Sequence, residues 1–110
     1  MSDFNPDEIY AKVSQAGEEW ADKKSAYEAL DDNTKSVLAD IIADYMDTQL
    51  TRSESETRAL ASSVYKDHLA QKQAARRAWL KATVLYDSLK MLAELRRSEE
   101  STKRAEMQIR

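Results

Sequence analysis

Cysteine is missing from this chain, and glycine, proline and phenylalanine occur once each. Without a thiol there is no disulfide-stapled scaffold and no Cys-based metal site. With Gly17 as the only glycine there is no Gly-rich phosphate loop. Large aliphatics are scarce too: Val, Ile, Leu and Phe number 19 of 110 residues, while alanine alone numbers 16. That is thin for a compact globular core. No stretch approaches the roughly 18 apolar residues of a membrane span. The most apolar piece, Val37 to Met46, is interrupted by Asp40 and Asp44. The first residues are acidic where a secretory signal is basic. The expectation is one cytoplasmic domain spanning 1–110, with no membrane role and no small-molecule substrate.

What is present is the composition of long helices. Charged residues make up 34% of the chain, and breakers are almost absent. The charge is unevenly divided. Residues 1–50 carry 12 acids and 4 bases, whereas residues 51–110 carry 8 acids and 13 bases. From His68 to Ala82 there are Lys72, Arg76, Arg77 and Lys81 and no acid. Such a split implies either pairing between the halves or an anionic partner for the second half.

The first helix start is marked four times over. Asn5 is a capping residue and Pro6 suits the first helical position. Glu8 sits three residues after Asn5, and Phe4 with Ile9 is spaced as a hydrophobic staple. A stripe then runs Ile9, Val13, Ala16, Trp20, Lys24, Tyr27, Leu30, Thr34, Val37, Ile41 and Tyr45 in steps of three or four. Asp31-Asp32-Asn33 favours a turn, so the reading is either one helix over 6–49 or two, over 6–30 and 33–49. A turn at 49–54 follows, with Ser53/Glu56 and Thr51/Glu54 as competing capping boxes. A second helix is predicted over 55–100, with a tail at 101–110 that is solvated, helical with a frayed end, or ordered only by a partner. Its expected inner stripe is Leu60, Val64, His68, Gln71, Ala75, Ala78, Ala82, Leu85, Leu89 and Leu92, with Leu95 or Arg96 next. Tyr65, Trp79 and Tyr86 form a neighbouring aromatic line.

The predicted fold is all-α: a long antiparallel helical hairpin. With so little aliphatic bulk, a homodimer or higher oligomer, most simply a four-helix bundle, is the expected remedy. In the hairpin, residues 72–81 should lie near residues 23–33, where Asp22, Glu28, Asp31 and Asp32 are the available acids.

Chemistry is hard to place on this chain. His68 has no His or Cys companion, and zinc needs three or four converging ligands. Asp40, Asp44 and Asp47 share one helix face, read first as a solvated ridge and only second as a water-mediated hard-cation site. One His and no Cys leave no nucleophilic triad. The chain is therefore read as a non-enzyme with no cofactor and no metal. Lys72, Arg76 and Trp79 share a face, with Arg77 and Lys81 beside it, and Arg96, Arg97, Lys103 and Arg104 make a second basic patch. Cations that track phosphates beside an aromatic on which a base stacks are what single-strand binding uses. The competing reading puts Trp79 in the core at the dimer seam and pairs the bases with the acidic first helix.

The second half carries a resemblance. Val64-Tyr65-Lys66-Asp67-His68-Leu69, Ala75-Arg76-Arg77-Ala78, Tyr86-Asp87, Glu94-Leu95-Arg96-Arg97-Ser98 and Thr102-Lys103-Arg104-Ala105-Glu106-Met107 carry it. Together they resemble small uncharacterised helical proteins of tailed bacteriophages and prophages, encoded near single-strand-annealing recombination proteins. The resemblance covers residues 60–108 and brings no functional residues with it. It implies a cytoplasmic phage accessory protein for DNA recombination or replication that binds single-stranded DNA or a recombination protein through the basic second helix. The alternative is a coiled-coil adaptor, assembly chaperone or inhibitor of a host protein with no nucleic-acid role.

Overall fold

The computed structural model describes residues 6–109, so the Asn5 cap and the Phe4–Ile9 staple lie outside the described residues. The chain is all-α, a long helical hairpin with three helices: α1 (Pro6–Met46), α2 (Arg52–Ala61) and α3 (Ser63–Ile109). Among the described residues no helix is long and apolar enough to cross a membrane. The chain divides into two compact units. Unit 1 comprises Met1–Asp22 with Leu80–Arg110, and unit 2 comprises Lys23–Trp79.

α1 runs through 31–33 without a break, as one helix. Asp31, Asp32 and Asn33 all face solvent there, and the hydroxyl of Thr34 donates to the Leu30 carbonyl at 3.0 Å. Residues that favour turns stay helical when their polar groups are satisfied by water or by the preceding turn. Every residue of the expected α1 stripe is buried or half-buried, with Ile9 and Ala16 the most enclosed.

The turn after α1 is built from local hydrogen bonds. The Thr48 hydroxyl donates to the Tyr45 carbonyl at 2.6 Å, and the Gln49 amide donates to the Met46 carbonyl at 3.0 Å. Gln49 takes the left-handed conformation, φ 70°, that ends many helices. Of the two capping registers Thr51 is the one used, its hydroxyl accepting from the Glu54 amide at 3.2 Å. Glu56 is instead paired to Arg52, one turn back, at 3.0 Å.

The second helix differs from expectation. It starts at Arg52 rather than 55 and breaks at Ser62, and of the readings open for the tail the helical one is found, to Ile109. Ser62 is extended, φ −69° and ψ 149°, and serves two helices at once. Its amide and hydroxyl donate to the Ala59 carbonyl, and its hydroxyl oxygen accepts from the Tyr65 amide at 3.2 Å. A serine side chain that satisfies orphan groups on both sides makes such a break cheap. On the short α2, Ser55 and Ala59 are fully buried one turn apart, so small side chains give it its packing face.

Candidate interaction surface on the third helix

In unit 2 the seam is made of directional contacts. Tyr27 stacks on Trp79 with ring centroids 5.5 Å apart and planes 20° from parallel. Lys72 is bonded to Asp31 at 2.8 Å. His68 Nε2 lies 3.0 Å from the Thr34 hydroxyl, whose proton goes to the Leu30 carbonyl, so Nε2–H is the donor. Rising numbers on α1 meet falling numbers on α3, as an antiparallel pair requires. The hydrogen bond to Asp31 holds the Lys72 ammonium above its ordinary pKa. What the Lys72 proton contributes is therefore present below the usual lysine range and is lost as alkaline pH removes it.

In unit 1 the seam is smaller. Trp20 donates its indole N–H to the Thr83 hydroxyl at 2.9 Å, and its ring lies 5.9 Å from that of Tyr86. Tyr86 rests on the backbone of Gly17, where a Cβ would come within 3.1 Å of the ring. This close approach gives the only glycine its structural role. The Lys90 ammonium lies over the Tyr86 ring, 4.2 Å from its centroid. Ile9, Ala16 and Ala82 are the buried hydrophobic side chains of this unit.

The residues on the inner face of α3 are thus Tyr65, His68, Lys72, Ala75 and Trp79 in unit 2, and Ala82, Tyr86, Leu89, Ala93 and Arg96 in unit 1. Within each set the steps alternate between three and four. This corrects the expected stripe at Leu60, Val64, Gln71, Leu85, Leu92 and Leu95, all of which are exposed. The aromatic line, with alanines between, is the seam. Bulky aromatics against small alanines fill the gap between two helices, and the larger aliphatics are left on the outside.

The basic candidates are dispersed by the same geometry. In unit 2, Lys72 is engaged with Asp31 and Trp79 with Tyr27, while Arg76 and Arg77 are exposed. In unit 1, Lys81, Lys103 and Arg104 are exposed. Arg96 reaches Glu99 at 3.5 Å, and Arg97 donates to the Tyr10 hydroxyl at 3.5 Å. One ring face of Trp79, the aromatic proposed for base stacking, is covered by Tyr27 within the fold. Asp40, Asp44 and Asp47 are exposed, and among the described residues no group of three or more potential ligands converges on a metal position.

The outer face of α3 in unit 1 carries Leu85, Leu92 and Leu95 of the expected inner stripe, so of the helix's two apolar lines it is the aliphatic one that faces out. Val84 is 67% exposed, Met91 64%, Leu95 57%, Leu85 50% and Leu92 39%. Val84, Ser88, Met91 and Leu95 follow one another in steps of four, three and four, roughly 150° round the helix from the seam at 3.6 residues per turn. Leu85 and Leu92 lie between this line and the seam. The signal was in the spacing: helical repetition at both 82-86-89-93 and 84-88-91-95 marks a helix with two apolar sides. Beside Leu85 an open groove of about 390 Å³ runs between α1 and α3, lined by Ala16, Leu85 and Leu89 with Lys12, Gln15 and Glu19 around them.

No protein-family model matches the chain, and no curated protein or solved structure matches it either.

Proposed function

We propose that this chain is a non-enzymatic helical interaction protein that works by docking an apolar helix against the outer face of α3. The observation that carries this reading is the exposure of five large side chains, Val84, Leu85, Met91, Leu92 and Leu95, on one arc of one helix. A contiguous exposed apolar strip bordered by polar residues is the mark of a protein-binding surface. The seam has already used the aromatic and small residues, so the strip is surplus to the hairpin itself.

The test is photocrosslinking in the cells that carry the protein, with p-benzoylphenylalanine replacing Leu85 in one chain and Arg76 in another. A discrete protein adduct from position 85, and none of comparable yield from position 76, is expected. A nuclease-sensitive adduct from position 76 with nothing from position 85 overturns the reading.

A second reading is the phage recombination accessory that binds single-stranded DNA. It is favoured by the exposed Arg76 and Arg77 and by the absence of acids between His68 and Ala82. It predicts saturable oligonucleotide binding, followed by fluorescence anisotropy, that weakens steeply as salt rises. Tyr27 on one face of Trp79 and Asp31 on Lys72 support the protein-docking reading over this one, because two of the residues it would use are already engaged within the fold.

A further inference from the structure

We infer that the occupant of the α3 face is a second copy of this chain, joined by an antiparallel α3–α3 contact whose two-fold axis passes at Ser88. The inference rests on the docking reading and deepens it by naming the partner and the register.

The first ground is symmetry in the spacing. Val84 and Leu85 precede Ser88 by four and three residues, and Met91 and Leu92 follow it by three and four. These four of the five strip residues therefore fall symmetrically about Ser88, as a self-complementary two-fold contact requires. Centred on Ser88, the register sets Val84 against Leu92 of the partner subunit and Leu85 against Met91 of the partner subunit, and the reverse pairs follow. The small serine sits on the axis, where the two helices approach most closely.

The second ground is charge. The same register sets Lys81 against Leu95 of the partner subunit. The lysine stem covers that leucine, and its ammonium lies within one helical turn of Glu99 of the partner subunit. Lys81 is exposed in the single chain, and Glu99 is exposed while also reaching Arg96 at 3.5 Å. Each copy supplies both members, so the interaction forms twice.

The third ground is the groove beside the strip. Next to Leu85, the groove floored by Ala16, Leu85 and Leu89 is apolar and open, and in this register Met91 of the partner subunit enters it. Methionine is suited to filling such an irregular space.

The experiment uses the purified full chain. Sedimentation velocity over a hundredfold range of concentration is expected to show a species of twice the 12.6 kDa chain mass. Leu85→Gln with Leu92→Gln is expected to weaken association by at least about a hundredfold while far-UV circular dichroism stays helical. Register is read separately. The natural chain has no cysteine, so an equal mixture of Val84→Cys and Leu92→Cys chains is oxidised, and the mixed disulfide is expected to dominate over either self-linked product. A dimer that survives the double glutamine substitution overturns the inference, as does dominance of the self-linked Val84→Cys product. A wild-type chain that is monomeric throughout also overturns it. If position 85 still crosslinks to a protein of another mass, the docking reading stands and only the second copy falls. If position 85 crosslinks to nothing, both fall.

Discussion

The two units use α3 differently. In unit 2 its inner face is held by a stacked pair, a bonded charge pair and a histidine–threonine hydrogen bond, and these contacts are specific in direction. In unit 1 the inner face is held by Tyr86 on Gly17, Trp20 against Tyr86 and Thr83, and a few small buried side chains, while the aliphatic bulk faces out. One helix thus serves a self-contained seam along part of its length and presents an unclosed apolar surface along the rest. Side-chain size alone does not tell which face of a helix is the inside. The face that fits the opposing helix becomes the inside, and two helices in close approach accept aromatics alternating with alanine more readily than two rows of leucine.

The comparison is broken most forcefully at Trp79. Trp79→Ala removes the ring stacked on Tyr27 and is expected to cost about 3 kcal/mol, the low end for loss of an aromatic from a packed site. The loss is to be measured by urea unfolding and should not change with protein concentration, because the contact lies within one chain. A loss that grew on dilution would place Trp79 between copies instead. The smaller test lies in unit 1. Gly17→Val drives a branched side chain into the Tyr86 ring, which Lys90 covers and Trp20 borders. Overpacking of this kind is expected to cost about 2 kcal/mol, read by the same unfolding experiment. A stabilised Gly17→Val would show that Tyr86 moves freely and that the glycine serves no close approach. If Gly17→Val costs more than Trp79→Ala, the contrast between the two units is reversed.

Much of the fold was legible because periodicity reports burial directly. The α1 stripe from Ile9 to Tyr45 held throughout, and the passage through Asp31-Asp32-Asn33 was foreshadowed by a stripe that kept its phase there. The lysine–aspartate contact followed from antiparallel geometry, which set residues 72–81 beside 23–33 and made Asp31 one of four available acids. The break at Ser62 was not legible, because it depends on one hydroxyl bonding both ways rather than on composition. The α3 seam was misread because leucines were taken to mark the inside, although Tyr65, Trp79 and Tyr86 were recognised as a line of their own. Helical spacing alone sets Lys72, Arg76 and Trp79 on one face with Arg77 and Lys81 beside it, and says nothing of what Lys72 and Trp79 meet across the seam. Their engagement by Asp31 and Tyr27 became visible only once the two helices were side by side.

The proposal that a second copy of this chain covers the outer face of α3 in unit 1 is checked by amide hydrogen exchange on the full chain, recorded at low and high protein concentration. Protection across residues 84–95 should rise with concentration, while protection across residues 65–79 should stay the same. Equal protection of 84–95 at every concentration would contradict it.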